Sequence, residues 1–207
     1  MKTILCYGDS NTYGYDPRTG GRYPKEERWV TILQNLLGAD YEIIPEGLNG
    51  RTTAYDREDG PWKNGYPYLQ PCIGSHKPVD EIVIMLGTND CNFDLYLSAE
   101  DIAKGLEKLI LMIRNETEEM QGFIPEILIV VPAAIKDNYK NSPFAYQLND
   151  ESVKKSHDIA PLYKALADKY GCKYLDASTA CEVSDIDSEH LTVNGHRTLA
   201  ALLANVV

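Results

Sequence analysis

The 207-residue chain is short of positive charge: 20 Lys and Arg stand against 31 Asp and Glu, a net charge of −11. The resulting pI near 4.8 argues against bulk electrostatic binding to nucleic acid or to an anionic membrane, since both need a positive face. No apolar run approaches the ~18 residues of a membrane span. A disulfide framework is lacking too. The five cysteines (Cys6, Cys72, Cys91, Cys172, Cys181) are odd in number and widely spaced, with no C-x-x-C pair. The opening Met1-Lys2-Thr3-Ile4-Leu5-Cys6-Tyr7 falls short of the roughly 7–15 apolar residues and cleavage site of a signal peptide, and reads instead as a strand. A reduced, cytoplasmic protein is expected. There is no internal repeat, low-complexity tract or linker. No G-x-S-x-G elbow is present either, which disfavours a classical α/β-hydrolase.

What the chain does contain is ordinary for a soluble domain: 43% hydrophobic and 25% charged residues. Its length suits a single domain, 1–207, with one self-sufficient core. Short β-like runs alternate with helical periodicity. Ile4–Tyr7 is the first strand candidate. Trp29, Ile32, Leu33, Leu36 and Leu37 follow a helical stripe that Gly38 stops. Tyr41–Ile44, ended by Pro45, is the second strand, and the wholly apolar Ile82–Leu86 the third. Ser98 and Asp101 form a variant capping box that opens a helix bearing Ile102, Leu106, Leu109, Ile110 and Ile113. Ile127–Val131 is a fourth strand. A helix through Ile159, Leu162, Tyr163, Leu166 and Tyr170 follows, with Pro161 marking either a kink or a later start. A short strand at Tyr174-Leu175 and a helix with Leu199, Leu202, Leu203 and Val206 close the chain. Such alternation predicts an α/β fold: a mostly parallel sheet of about five strands with helices on both faces. Thr53–Pro71, rich in Tyr, Pro and Gly, breaks the pattern and reads as a long loop, either a pocket wall or a segment packed for its own stability.

In an open parallel sheet, ligands bind at the carboxyl ends of the strands. Three polar turns lie there: Gly8-Asp9-Ser10, Asn49-Gly50-Arg51 and Gly87-Thr88-Asn89-Asp90. A serine becomes a nucleophile only when an oriented base takes its proton. Of the four histidines, His190 alone lies three residues after an aspartate, Asp187. On a turn, that spacing can set a carboxylate against one imidazole nitrogen and leave the other for Ser10. The N–H groups of Ser10 and Gly50 and the Asn89 amide would supply donors for an oxyanion.

Taken in order, Gly8-Asp9-Ser10, Gly50, Gly87-Thr88-Asn89-Asp90 and Asp187-x-x-His190 resemble the four blocks of the SGNH (GDSL-type) esterase/lipase superfamily. The likeness is greatest to its small arylesterase and acyltransferase branch, through Ile4–Ser10, Glu46–Thr53 and Ile84–Asp90. The resemblance implies a three-layer α/β/α flavodoxin-like domain. It also implies a serine esterase acting on small aryl or acetyl esters through an acyl-serine, with acyl transfer left open beside hydrolysis. Ser10 would be nucleophile, His190 base and then acid, and Asp187 the orienting carboxylate. Ser10, Gly50 and Asn89 would form the oxyanion hole. No metal or organic cofactor is required, and the partner is a small-molecule ester. Relatives in this branch often form multimers, so the resemblance admits a homo-oligomer. Asn11 stands where many relatives carry Leu, and Tyr13 and Tyr15 where acyltransferase-like relatives tend to carry Trp. Asn11, Tyr15 and Cys91, which follows the Asn89 turn, are therefore the candidates for substrate contact.

The remaining residues have plainer assignments. Asp9 and Asp90 read as turn-bracing carboxylates and Arg51 as a loop brace. His76 and His157 read as ordinary partly exposed residues. His196 lies close enough in sequence to His190 for a metal pair, but no third ligand stands at a telling distance. Two rivals come from other classes. One is a phosphate- or flavin-binding module, in which Asp9 would repel the phosphate and Asp187 and His190 would be idle. The other is a binding protein that kept the fold, which would not require nucleophile, base and orienter together.

Overall fold

A computed structural model describes all residues, Met1–Val207. The expected first strand, Ile4–Tyr7, forms within the longer β1 (Lys2–Gly8), at the centre of the chemistry described below. It is followed by a four-residue helix α1 (Ser10–Tyr13) and a small hairpin, β2 (Tyr15–Asp16) and β3 (Gly21–Arg22). Then come α2 (Trp29–Leu37), β4 (Tyr41–Gly47), α3 (Gly65–His76) and β5 (Glu81–Met85). The second half runs α4 (Ala99–Gln121), β6 (Glu126–Val131), α5 (Asp150–Tyr170), β7 (Lys173–Asp176) and α6 (Val193–Leu203).

The main sheet is parallel throughout, in the order β4-β1-β5-β6-β7. Chain direction across the sheet reverses at β1, so the crevice above the ends of β1, β4 and β5 is where this topology places a ligand. Successive strand residues point to opposite faces. Leu5, Tyr7, Ile82, Ile84 and Ile129 therefore enter one core, with α3, α4 and α5. Ile4, Cys6, Val83, Leu128 and Val130 enter the other, against α2 and α6. Burial on both faces is why these strands are apolar without alternation. No helix is long and apolar enough to cross a membrane.

Three expectations are corrected. Pro45 does not end its strand, which continues to Gly47. Because β4 is an edge strand, one of its sides has no ladder, and a missing N–H is tolerated there. Thr53–Pro71 is not one irregular loop. Its second part enters α3, capped by the Asn64 side chain on Tyr66 N, with Leu69, Cys72 and Ile73 turned into the core. Pro71 and only weak apolar periodicity hid that helix. In α5, Pro161 marks no start, since the helix begins at Asp150 under an Asn149–Ser152 capping box. The Ser98–Asp101 box of α4 forms with both reciprocal hydrogen bonds.

Candidate active site

β1 delivers Gly8 to a place with no room for a side chain: a Cβ there would collide with Thr12 Oγ1 and crowd Met85 O. Asp9 caps α1, accepting the Asn11 N–H at 2.9 Å. Ser10 opens that helix at the crevice, 6% exposed. Its hydroxyl Oγ lies 2.8 Å from His190 Nε2, and His190 Nδ1 lies 2.7 Å from Asp187 Oδ2. The turn between Asp187 and His190 closes through Ser188 in the left-handed region, at φ 69°. The other oxygen, Asp187 Oδ1, accepts the backbone N–H groups of Glu189 and His190 at 3.4 and 3.2 Å. With the carboxylate so oriented, the network assigns the imidazole proton to Nδ1 and leaves Nε2 to accept from the serine. Tyr15 lies tilted over the imidazole with ring centroids 4.3 Å apart, and Phe144 meets it edge-on at 5.7 Å.

Ser10, Gly50, Asn89, Tyr15 and His190 line one cavity of about 290 Å³. Gly50 holds φ at +80°, and a Cβ there would come 2.9 Å from Lys63 Cδ, so glycine suits both the turn and the close approach. Its N–H is not used by any hydrogen bond within the protein. The Asn89 amide is steadied by one bond, Nδ2 to Arg51 O at 3.1 Å. Arg51 itself reaches Gly8 O at 2.9 Å and also Glu46 O, with its guanidinium 4.2 Å from the Tyr7 ring centroid. It braces the loop that carries Gly50. Asp90 likewise accepts the N–H and hydroxyl of Thr53. The cavity thus brings a hydrogen-bonded Ser–His–Asp chain beside Gly50 and Asn89, an arrangement that can add a serine oxygen to a carbonyl and receive the resulting charge.

Two expected substrate contacts are corrected. Asn11 is 2% exposed and does not line the cavity: its carboxamide bonds Glu189 O and Leu191 N. Cys91 is fully buried among apolar neighbours of the α3–α5 side, and burial pushes its thiol pKa up. His196 does not pair with His190; its Nδ1 accepts the Trp29 N–H at 3.3 Å. Several cavity residues carried no signal in the sequence: Phe144, Tyr146 and Gln147 come from the connection after β6, and Arg57 from the loop before α3. Glu189 lies inside the Asp187–His190 block, where only the folded chain shows its side chain in the cavity wall.

Buried carboxyls surround the imidazole. Burial pushes Asp9 up to about 6 and Glu189 up to about 7. For His190, burial disfavours the imidazolium. The Asp187 hydrogen bond and the charges of Glu189, Asp187 and Asp9 outweigh it, so its pKa stands above the ordinary histidine value. Elsewhere, donor atoms of Glu46, Cys72 and His76 lie within 4.8 Å of one another. Glu46 and His76 already pair there at 2.9 Å, and the nearby Arg51 guanidinium opposes a further cation, so this group reads as a hydrogen-bonded pair.

A sequence profile described as the GDSL-like lipase/acylhydrolase family matches residues 6–198. A solved carbohydrate acetylesterase family member from Sinorhizobium meliloti is 40% identical, with a TM-score of 0.92 over 99% of this chain and 96% of that one. The native aryl esterase of M. smegmatis superposes with the same TM-score, 0.92, at 33% identity, over 99% of this chain and 97% of that one. An acetylxylan esterase of Xylanibacter ruminicola is 25% identical over 99% of this chain, which spans only 42% of that relative's length.

Proposed function

The chain belongs to the GDSL-like lipase/acylhydrolase family, and on that premise we propose that it is a carboxylic ester hydrolase whose nucleophile is Ser10. The observation that carries this reading is the unbroken hydrogen-bonded chain Ser10–His190–Asp187, at 2.8 and 2.7 Å, opening on the cavity that holds Gly50 and Asn89. His190 Nε2 takes the hydroxyl proton as Ser10 Oγ bonds to the ester carbonyl carbon. The carbonyl π pair moves onto oxygen, held by the N–H groups of Ser10 and Gly50 and by the Asn89 amide. Collapse breaks the bond to the alcohol, which leaves with the proton from His190. Water then repeats the sequence on the acyl-serine and releases the acid.

Aryl and sugar acetates are the substrate class, on the names of the relatives and on the modest cavity of about 290 Å³, which suits a short acyl group. Transfer to another alcohol uses the same intermediate. A phosphate- or flavin-binding role is not favoured, because buried Asp9 would oppose a phosphate and the triad would have no task. Five free cysteines suit a reducing cytoplasm. Exposed Tyr96 and Tyr146 beside the entrance offer surface that a second copy would cover.

The test is hydrolysis of p-nitrophenyl acetate by the wild type and by Ser10→Ala, both checked for folding by circular dichroism. Turnover that falls to background in the variant supports the reading. Equal activity in the two proteins removes Ser10 from the mechanism.

A further inference from the structure

Two charged side chains in the wall of the catalytic cavity are left with unused hydrogen-bonding capacity. Arg57 is 9% exposed. Its Nε donates to Asp59 Oδ1 at 2.8 Å and its Nη2 to Gln147 Oε1 at 3.3 Å, while Nη1 is buried without a partner. Gln147 is held in turn by Asn92 Nδ2 at 3.3 Å, so the guanidinium sits in a fixed frame. Glu189 is 6% exposed. Its backbone groups are engaged, N–H with Asp187 and C=O with Asn11, yet its carboxyl meets no donor in the protein. Both residues line the cavity that holds Ser10. Buried polar groups without partners are costly, and a ligand that pairs them gains what the protein alone forgoes.

The charges around them decide what that ligand is. A cationic group would face Arg57 and Lys63. An anionic one would face Glu189, Asp59 and the acidic lining of the adjoining cavity of about 680 Å³, where Asp56, Glu58 and Asp94 gather and which shares Arg57, Asp59, Tyr146 and Gln147 with the first. A neutral group carrying both a donor and an acceptor is opposed by neither. A hydroxyl is such a group, accepting from a guanidinium and donating to a carboxylate. Burial sets Glu189 near 7, so around neutrality its carboxyl can take either part in a bond to a hydroxyl.

We propose that Arg57 and Glu189 form a two-point clamp for free hydroxyls on the alcohol side of the ester, which favours acetyl esters of polyols or sugars over the same esters without free hydroxyls. The larger adjoining cavity receives the rest of the polyol. This inference rests on the esterase reading above.

The test compares kcat/KM for glycerol 1-acetate with that for 2,3-dimethoxypropyl acetate, the same ester with both hydroxyls methylated. p-Nitrophenyl acetate serves as the check on esterase activity. The wild type is expected to favour the free diol by about tenfold or more, since a site built to bond hydroxyls rejects the analogue without them. Arg57→Met and Glu189→Leu should each bring that ratio to within about threefold of unity. Both esters meet the same Ser10, so a change at the triad cancels in the ratio. If the wild type hydrolyses both esters equally, the clamp is wrong and the esterase reading stands. A large preference unchanged in both variants would remove the assignment to Arg57 and Glu189. If none of the three esters is hydrolysed, the clamp falls with the reading it rests on. Where one variant does not fold, the other still reads the ratio, and equal wild-type rates overturn the clamp without either.

Discussion

The side-chain oxygen of Asn11 accepts the backbone N–H of Leu191 at 2.8 Å, joining positions 180 residues apart. The residue after Ser10 is thereby tied to the residue after His190. Asn11 Nδ2 also donates to Glu189 O at 3.2 Å, so one carboxamide grips the loop on both sides of the imidazole. This clasp holds the loop of His190 against the turn of Ser10.

Asn11→Ala removes both bonds and leaves the buried Leu191 N–H without an acceptor, a cost of about 1–3 kcal/mol. Thermal unfolding should move down by roughly 2–4 °C for each of those kcal/mol. Steady-state kinetics on p-nitrophenyl acetate should show kcat falling about tenfold or more, with KM moving less, because misplacement rather than binding is at fault. An unchanged kcat would make Asn11 a bystander.

Asp187→Asn should keep the fold and lower kcat by roughly three to four orders of magnitude, with KM nearly constant. An amide at that position can donate to Nδ1, which favours the tautomer with its proton on Nε2. That form cannot accept from Ser10. A loss of only a fewfold would place the orienting role elsewhere.

Asn89→Ala deletes one donor from the oxyanion site, worth about 2.7–4 kcal/mol of transition-state stabilisation, or roughly 10²–10³ in kcat. The ground-state ester gains less from that donor than the tetrahedral adduct does. KM should therefore change little, and a mutant defective mainly in KM would argue against the role.

In the proposed mechanism the base acts only when His190 is neutral, so kcat/KM should rise with pH. The midpoint lies above the ordinary histidine value because the His190 pKa is raised. Glu189 contributes to that rise through its charge, and Glu189→Gln should shift the limb to lower pH. A profile flat from pH 5 to 9 in the wild type would count against His190 as the base.

Glu189 also links stability to pH. Its folded pKa of about 7 lies above the ordinary value of 4.5. The carboxyl is therefore no burden below about pH 4.5, where it is protonated in both states. Between about pH 4.5 and 7 the unfolded chain is ionised at this residue while the folded one keeps its proton, so stability falls across that window, and above about 7 the loss is complete. Glu189→Gln is free of this term, so the difference in unfolding temperature, variant minus wild type, should grow across that window and level off above it. Scanning calorimetry at pH 4.5, 6 and 8 reads the difference directly; a constant offset would show that Glu189 is solvated.

Much of the fold was legible because its signals are local. The stripe from Trp29 to Leu37, the Ser98–Asp101 box and the continuous apolar runs at 82–86 and 127–131 each report the element they form. Three polar blocks at strand ends and a fourth between β7 and α6 marked Ser10, Gly50, Asn89, Asp187 and His190, since each block needs its own turn chemistry. α3 was missed because Pro71 and weak periodicity conceal a helix whose burial depends on the sheet beneath it. Pro45 misled for the converse reason: whether a proline ends a strand depends on whether that strand has a second neighbour.

By itself, the sequence determined which chemical groups are available and which turns present them, because periodicity, capping and turn residues act over a few positions. Tertiary structure alone decided that Asn11 is a clasp and not a substrate contact, and that Cys91 is buried in the core. It also brought Arg57 and Glu189, 132 positions apart in the sequence, into the wall of one cavity with unused bonds. Such facts depend on how loops from distant strands close over the same sheet edge, and no short stretch of residues carries that information.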